Sequence, residues 1–392
     1  MTFPERFLLS RRGFLAGACC AAAAPIITPV TFAAMPGENR FVTIILRGAM
    51  DGLDFLQPYG DPAFAALRPK LGLTPDTGLI DLNGFFGLNP AASALAPLWQ
   101  AGELSFVHAV STPYRNQRSH FDGQDMLESG GNDTSQRTGW LNRALAVMPR
   151  SDSRKAIDIN TSMELILTGP NAADSWSSQS NFTLADDEIA FLERLYARDP
   201  AFSRAMVEAK ETDLSADSLY GDTKRGAGIA DMARLAGGML RENYRVASFS
   251  INGWDTHLGQ QAQFKKAAGD LATAIVTLKE SLGGDAWKNT VVVAMTEFGR
   301  TARENGSKGT DHGTGGLAIL AGGAIPGGQI LGQWPGLADD RLLDGRDLMP
   351  TGDVRELAAA MLYKQFGIKP DNLTGKVFPG LSFDPSSQYL KG

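Results

Sequence analysis

FVTIIL, residues 41–46, is a continuous, largely β-branched run that ends at Arg47 and opens into RGAMDGLD, residues 47–54. A strand with one wet face alternates apolar and polar residues. A strand apolar at nearly every position is buried on both faces, the pattern of a parallel sheet covered by helices. The pattern recurs in LSFVHAV (104–110), RVASFSI (245–251), TVVVAM (290–295) and GLAILAGG (316–323). Helical periodicity lies between these runs. Residues 259–282 place Phe264, Ala268, Leu271, Ile275, Leu278 and Leu282 at steps of three or four, one apolar stripe. Residues 353–366 start at Asp353, a candidate N-cap, and carry Val354, Leu357, Met361, Leu362 and Phe366 on one side. Residues 226–242 read as a further helix. Alternating strands and helices predict an α/β fold with a mainly parallel central sheet. No internal repeat appears.

In such sheets ligands bind beyond the C-terminal ends of the strands. The first strand runs into Arg47, Asp51 and Asp54. The second runs into STPYRNQRSHFDGQD, with Arg115, Arg118, Ser119, His120, Asp122 and Asp125. The third runs into NGWDTH, with Asp255 and His257, and the fourth into TEFGRT, with Glu297 and Arg300. Ahead of the fifth comes GTDHGTGG (309–316), with Asp311 and His312. Three of the four histidines in the chain therefore sit beside carboxylates in these loops, and His108, inside a strand, reads as packed. Carboxylates and neutral imidazoles gathered at one sheet edge suit a hard-to-borderline metal ion. Glycines beside His312 and Asp255 allow close backbone approach, and arginines can clamp an oxygen-rich anion. Each side chain also has a plain structural use. Asp51 and Asp311-His312 can form turns, Asp255 a cap beside a surface histidine, Glu297 a pair with Arg300 or Arg303, and Ser119 a helix N-cap, with His120 at the surface.

The chain has 392 residues, 43% hydrophobic and 20% charged, with formal net charge −6. Its pI near 5.4 argues against nucleic acid as a general partner. SRRGFLAGACCAAAAPIITPVTFAA (10–34) carries paired arginines before Phe14-Leu15, an Ala-rich apolar stretch and small residues around Ala33, the signature of a twin-arginine export signal. Residues 1–34 read as that signal and 35–392 as one domain. The remaining alternatives for the leader are an anchor, which Pro25 and Pro29 disfavour, and lipidation at Cys19 or Cys20. Those are the chain's two cysteines, so the mature protein has no disulfide. Residues 170–225, centred on DEIAFLERLYARDPAFSRAMVEA, read as a helical insertion.

LRGAMDGLDFLQPYGDPAF, YRNQRSHFDGQDMLESG, GWDTH, TEFGRT and GSKGTDHGTGG, with the twin-arginine leader, resemble the exported bacterial proteins of the DUF1501 family. That family looks like a remote branch of the alkaline phosphatase/sulfatase superfamily. The resemblance implies an alkaline-phosphatase-like α/β/α sandwich with one or two divalent ions (zinc, manganese, calcium or magnesium) and cleavage of phosphate or sulfate esters. Asp51, Asp255, His257, Glu297 and His312 resemble its metal ligands, with Asp311 and His120 as further candidates. Glu297 is followed by Phe298 where the superfamily has a second ligand, His. Ser119 or His120 falls at the nucleophile position, at the start of a helix, with Arg118 beside it. The absent mature cysteine excludes a cysteine-derived formylglycine. The expected function is therefore an exported metal-dependent hydrolase acting on a small anionic or ester substrate. The alternative is a non-catalytic periplasmic binding or assembly protein on a degenerate hydrolase fold. No permanent transmembrane span is expected.

Overall fold

A computed structural model of the chain describes residues 38–115, 118–149, 156–160, 164–176, 228–242 and 244–390, together with Val207. The expected export signal and most of the expected 170–225 insertion lie outside the described residues.

The described residues form twelve strands: β1 (Arg40–Arg47), β2 (Leu56–Gln57), β3 (Ile80–Asp81), β4 (Gly87–Leu88), β5 (Leu104–Ser111), β6 (Ala156–Ile159), β7 (Asp174–Trp176), β8 (Val246–Asn252), β9 (Thr290–Thr296), β10 (Gly316–Ala321), β11 (Ile330–Leu331) and β12 (Gly352–Asp353). Nine form one sheet in the order β11-β5-β10-β9-β1-β8-β6-β7, with β12 beside β5, and β2-β4-β3 form a small antiparallel sheet. All five expected strands are there. Four of them run the same way; β10 is antiparallel to both its neighbours, β5 and β9. That reversal brings the start of β10 to the edge where β1, β5, β8 and β9 end, so the loop before β10 meets the loops after the others.

Side-chain alternation on the central strands feeds two cores. Val42, Ile44 and Leu46 of β1 and Val292 and Ala294 of β9 enter one, and Phe41, Ile45, Val291, Val293 and Met295 enter the other. Among the described residues five longer helices lie against the two faces: α1 (His120–Ser129), α2 (Trp140–Val147), α3 (Ile229–Glu242), α4 (Gln260–Lys288) and α5 (Val354–Phe366). α3 and α4 pack on the first face, through residues such as Leu235, Met239, Phe264, Leu271, Ile275 and Leu278. α2 and α5 pack on the second, through Trp140, Leu145, Leu357, Met361 and Leu362. The result is a three-layer α/β/α sandwich, as expected from strands buried on both sides. The stripe read over 259–282 ends where the structure bends: Gly283, at φ 74°, kinks α4 before its last turn. Asp353 caps α5, accepting from the Arg355 N–H at 2.9 Å.

Candidate metal centre

Three histidines meet at the shared strand edge. His120 opens α1 and stands 4.4 Å, centroid to centroid, from His312, which is 4.6 Å from His257. His120, Asp255 and His312 offer ligand atoms that all lie within 4.8 Å of one another, the one such group of three among the described residues. His257 joins them, its Nε2 lying 3.0 Å from the His312 Nε2 and 3.0 Å from Asp255 Oδ1.

The other ring nitrogen of each imidazole is held by an oxygen that only accepts. His120 Nδ1–H donates to Glu297 Oε1 at 2.8 Å, His312 Nδ1–H to the Arg118 carbonyl at 3.1 Å, and His257 Nδ1–H to Asp311 Oδ1 at 3.3 Å. With the proton of a neutral ring on Nδ1, each Nε2 turns a lone pair to the centre, where His257 and His312 Nε2 lie 3.0 and 3.2 Å from Asp255 Oδ1. His120 Nε2 is buried and has no hydrogen-bond partner, and Asp255 Oδ2 lies 3.4 Å from it. Three converging imidazole nitrogens and a carboxylate form a donor set that fits a divalent ion with nitrogen and oxygen preference.

The glycines of GTDHGTGG answer to this packing. A Cβ on Gly309 would collide with the carbonyl of His257, and one on Gly313 with the backbone of Arg300. The strip pairs with the TEFGR loop, as an antiparallel bridge between Arg300 and His312 and through Gly313 N–H donating to the Gly299 carbonyl at 2.8 Å. The loop needs glycine because two other loops lie against it.

The electrostatics separate the histidines. The Glu297 hydrogen bond, working against burial, raises the pKa of His120. Burial, with the charges of Arg300 and His120, lowers that of His312 despite Asp255. Burial pushes Asp255 up, but the Arg300 hydrogen bond and charge prevail and hold its carboxyl below the usual range. Burial likewise opposes ionisation of Glu297, and its hydrogen bonds from His120 and Gln124 overcome it.

Several expected ligands stand elsewhere. Glu297 is wholly buried behind His120, so it touches the centre through the imidazole. Asp311 is half exposed, behind His257. Asp51 is not brought to the cluster: both its oxygens face Arg68, at 2.7 and 3.1 Å, and Gln260 donates to Oδ2 at 2.7 Å. This is a fully buried ion pair between the β1 loop and a residue in the segment after it. Arg47 turns inward to Glu128 at 2.6 Å and Glu164 at 2.8 Å, which removes it as an anion clamp. Arg118 is exposed, at φ 54°, and reaches the centre through its carbonyl. Ser119 caps α1, its hydroxyl accepting from Asp122 N–H at 3.4 Å. His108 is packed as expected, stacked on Phe86 at 5.4 Å, and burial pulls its pKa down to about 4.

The residue that sequence reading undervalued is Arg300. It was weighed as a partner for Glu297, but it pairs with Asp255 at 2.6 Å. The signal available was its place, four residues past the end of β9 and beside a glycine.

The sequence profile of the proteins of unknown function DUF1501 matches residues 105–378. The chain belongs to that family. The match spans all three clustered histidines, Asp255, Glu297, Arg300 and Asp311. No curated protein matches the chain. Among solved structures it is similar to a protein in the alkaline phosphatase superfamily from Vibrio parahaemolyticus, at 11% identity and TM-score 0.41, over 92% of this chain and 77% of that one. It is also similar to the lipoteichoic acid synthase LtaP from Listeria monocytogenes, at 10% identity and TM-score 0.39, over 90% and 78%. A third is the C-terminal periplasmic domain of EptC from Escherichia coli in complex with Zn, at 9% identity and TM-score 0.36, over 76% and 77%.

Proposed function

We propose that His120, His257, His312 and Asp255 hold a divalent metal ion, and that the chain is an exported metal-dependent hydrolase of phosphate or sulfate esters. The observation that carries the metal reading is the convergence of three Nε2 atoms on Asp255, with all three Nδ1 atoms on oxygen acceptors. A bound ion would supply Lewis-acid polarisation of the ester's oxygens. The chain's own residues supply the rest. Arg300 holds Asp255 in place. Glu297 and Asp311 fix the rings of His120 and His257. Tyr114, Arg118, Phe298, Thr314, Arg346 and Asp347 are among the lining of a cleft beside the cluster; Arg346 is paired with Asp347 at 2.6 Å, which leaves Arg118 as the guanidinium that suits an anionic substrate. Ser119, at the N-terminus of the ten-residue α1 and next to His120, is the candidate nucleophile, because the helix terminus favours developing negative charge.

The sequence resemblance to alkaline phosphatases and sulfatases supports ester hydrolysis, and the twin-arginine motif supports export to the periplasm. Among the described residues no helix is long and apolar enough to cross a membrane. The second reading, a non-catalytic binding or assembly protein, is favoured by the Ser119 hydroxyl, which is engaged as a helix cap.

The test is elemental analysis of purified protein with a screen of aryl phosphates and sulfates. Bound metal that is lost in a His257→Ala/His312→Ala double variant, with turnover lost in parallel, is the expected result. Metal without turnover of any ester favours the binding reading, and no metal sinks the hydrolase. Full turnover by Ser119→Ala would remove the serine as nucleophile and leave water.

A further inference from the structure

We propose that Arg300 is the site's built-in second cation: its guanidinium fills a place that would otherwise take a metal ion, so the histidine cluster holds one divalent ion. The inference rests on the metal-binding reading above and narrows it.

Arg300 is buried, and its side chain faces five oxygens, with Nη1 also 3.4 Å from His257 Nε2. Nη2 lies 2.6 Å from Asp255 Oδ1, 2.8 Å from the Gly48 carbonyl and 3.0 Å from the Trp254 carbonyl. Nε donates to the Ala49 carbonyl at 2.7 Å and Nη1 to the Thr310 carbonyl at 3.1 Å. Carbonyl and carboxylate oxygens are what hard cations choose, at roughly 2.3–2.6 Å for calcium. The three oxygens around Nη2 need only draw in by a few tenths of an ångström to meet that range.

The place is coupled to the histidines by a shared atom. Asp255 Oδ1, which receives Nη2, also faces His257 Nε2 at 3.0 Å and His312 Nε2 at 3.2 Å. One carboxylate oxygen thus stands between a fixed cation and the imidazole cluster, the relation of a bridging carboxylate in paired-ion sites. A purely structural arginine would also tie together the loops after β1 and β8 and before β10, as this one does. It would not need to share its carboxylate with the imidazoles. Unlike an ion, the guanidinium cannot be removed by a chelator or lost by deprotonation at physiological pH. Arg300 is on this account a positioning residue, and metal dependence should follow a single binding step.

The experiment counts bound ions in wild type, Arg300→Ala and Arg300→Lys after titration with Zn2+ and with Ca2+, with folding checked by circular dichroism. The expected counts are one ion in wild type, one in Arg300→Lys, which keeps the charge, and two in Arg300→Ala, the second with Ca2+ preferred. A wild-type count of two, or a folded Arg300→Ala with no gain, overturns the inference and leaves the hydrolase reading standing. A wild-type count of zero overturns both. Should Arg300→Ala not fold, the wild-type count decides: one supports the inference, and any other number overturns it.

Discussion

Glu297→Gln should weaken divalent-ion binding about tenfold while the fold survives. Glu297 Oε1 accepts from His120 Nδ1–H at 2.8 Å, Gly48 N–H at 3.0 Å and Gln124 Nε2–H at 3.2 Å, and Oε2 accepts from Thr296 Oγ1–H at 2.9 Å. Glutamine has the same shape. Its carbonyl oxygen can replace Oε1 and keep three donors. Its NH2 would face the Thr296 hydroxyl, whose hydrogen can turn to the Leu46 carbonyl, 2.9 Å away. What is lost is the charge. A hydrogen bond to a charged group contributes about 1.5–3 kcal/mol against about 1 for a neutral one. The difference of about 0.5–2 kcal/mol is roughly 2- to 30-fold in affinity, which overlaps the ~10- to 100-fold range for losing an outer partner of a metal-binding histidine. Glu297→Leu is the contrasting case. It strands these donors in the interior, at about 1–3 kcal/mol each, and should fail to fold. The assay is competition for Zn2+ against a chromophoric chelator at fixed pH, with His120→Ala as reference. A Glu297→Gln affinity within about twofold of wild type, with His120→Ala weakened, would refute the argument that Glu297 acts through the imidazole.

Arg68→Ala leaves Asp51 buried beside Asp54 without its cation, and should cost about 3–5 kcal/mol in denaturant unfolding, as for a broken buried pair; a loss below about 1 kcal/mol would contradict the assigned pairing. His108→Phe should leave the metal count unchanged and flatten the acid limb of the stability curve. The folded pKa of His108 is depressed to about 4 by burial, so its contribution is present above the unfolded value near 6.5 and lost as pH falls towards 4, by on the order of 3 kcal/mol. An unchanged acid limb in the variant would refute this. Glu128 carries the opposite sign: burial first, then the charge of Glu164, lifts its pKa to about 7. The folded state binds the proton more tightly, so this group's contribution is present below about 4.5 and lost as pH rises through 7. Thermal melts of Glu128→Gln over that window should lose the decline, and a parallel curve would exclude Glu128 as its source.

The sandwich was legible because FVTIIL, LSFVHAV and TVVVAM are apolar on both faces, and two-sided burial leaves few architectures. The direction of β10 was not. Nothing in GLAILAGG says which way it runs, yet only its reversal brings Asp311 and His312 to the working edge. The convergence of His120, His257 and His312 was legible through strand ends. The division of labour among their carboxylates was not, because it depends on side-chain angles. Glu297 and His120 lie on different loops, and their order along one hydrogen bond decides which faces the centre. Asp51 finds Arg68 and Arg47 finds Glu128 in segments with no periodic pattern to announce them.

The hydrogen bonding of the cluster bears on function. Burial of polar groups is tolerated when each is satisfied. Here the outward nitrogens are all satisfied, while the inward ones face each other, at 3.0 Å between His257 and His312. One proton could serve that pair, but His120 Nε2 would still be left without a partner. Protonating His312 as well would bring like charges together beside Arg300, and burial with the charges of Arg300 and His120 already lowers its pKa, whereas the Glu297 hydrogen bond raises that of His120. On the proposed metal reading, a dication would take all three nitrogens at once and add positive charge next to an ionised carboxylate. Arg300 pairs with Asp255 and not with Glu297: Asp255 faces the centre, and a fixed cation there keeps it ionised.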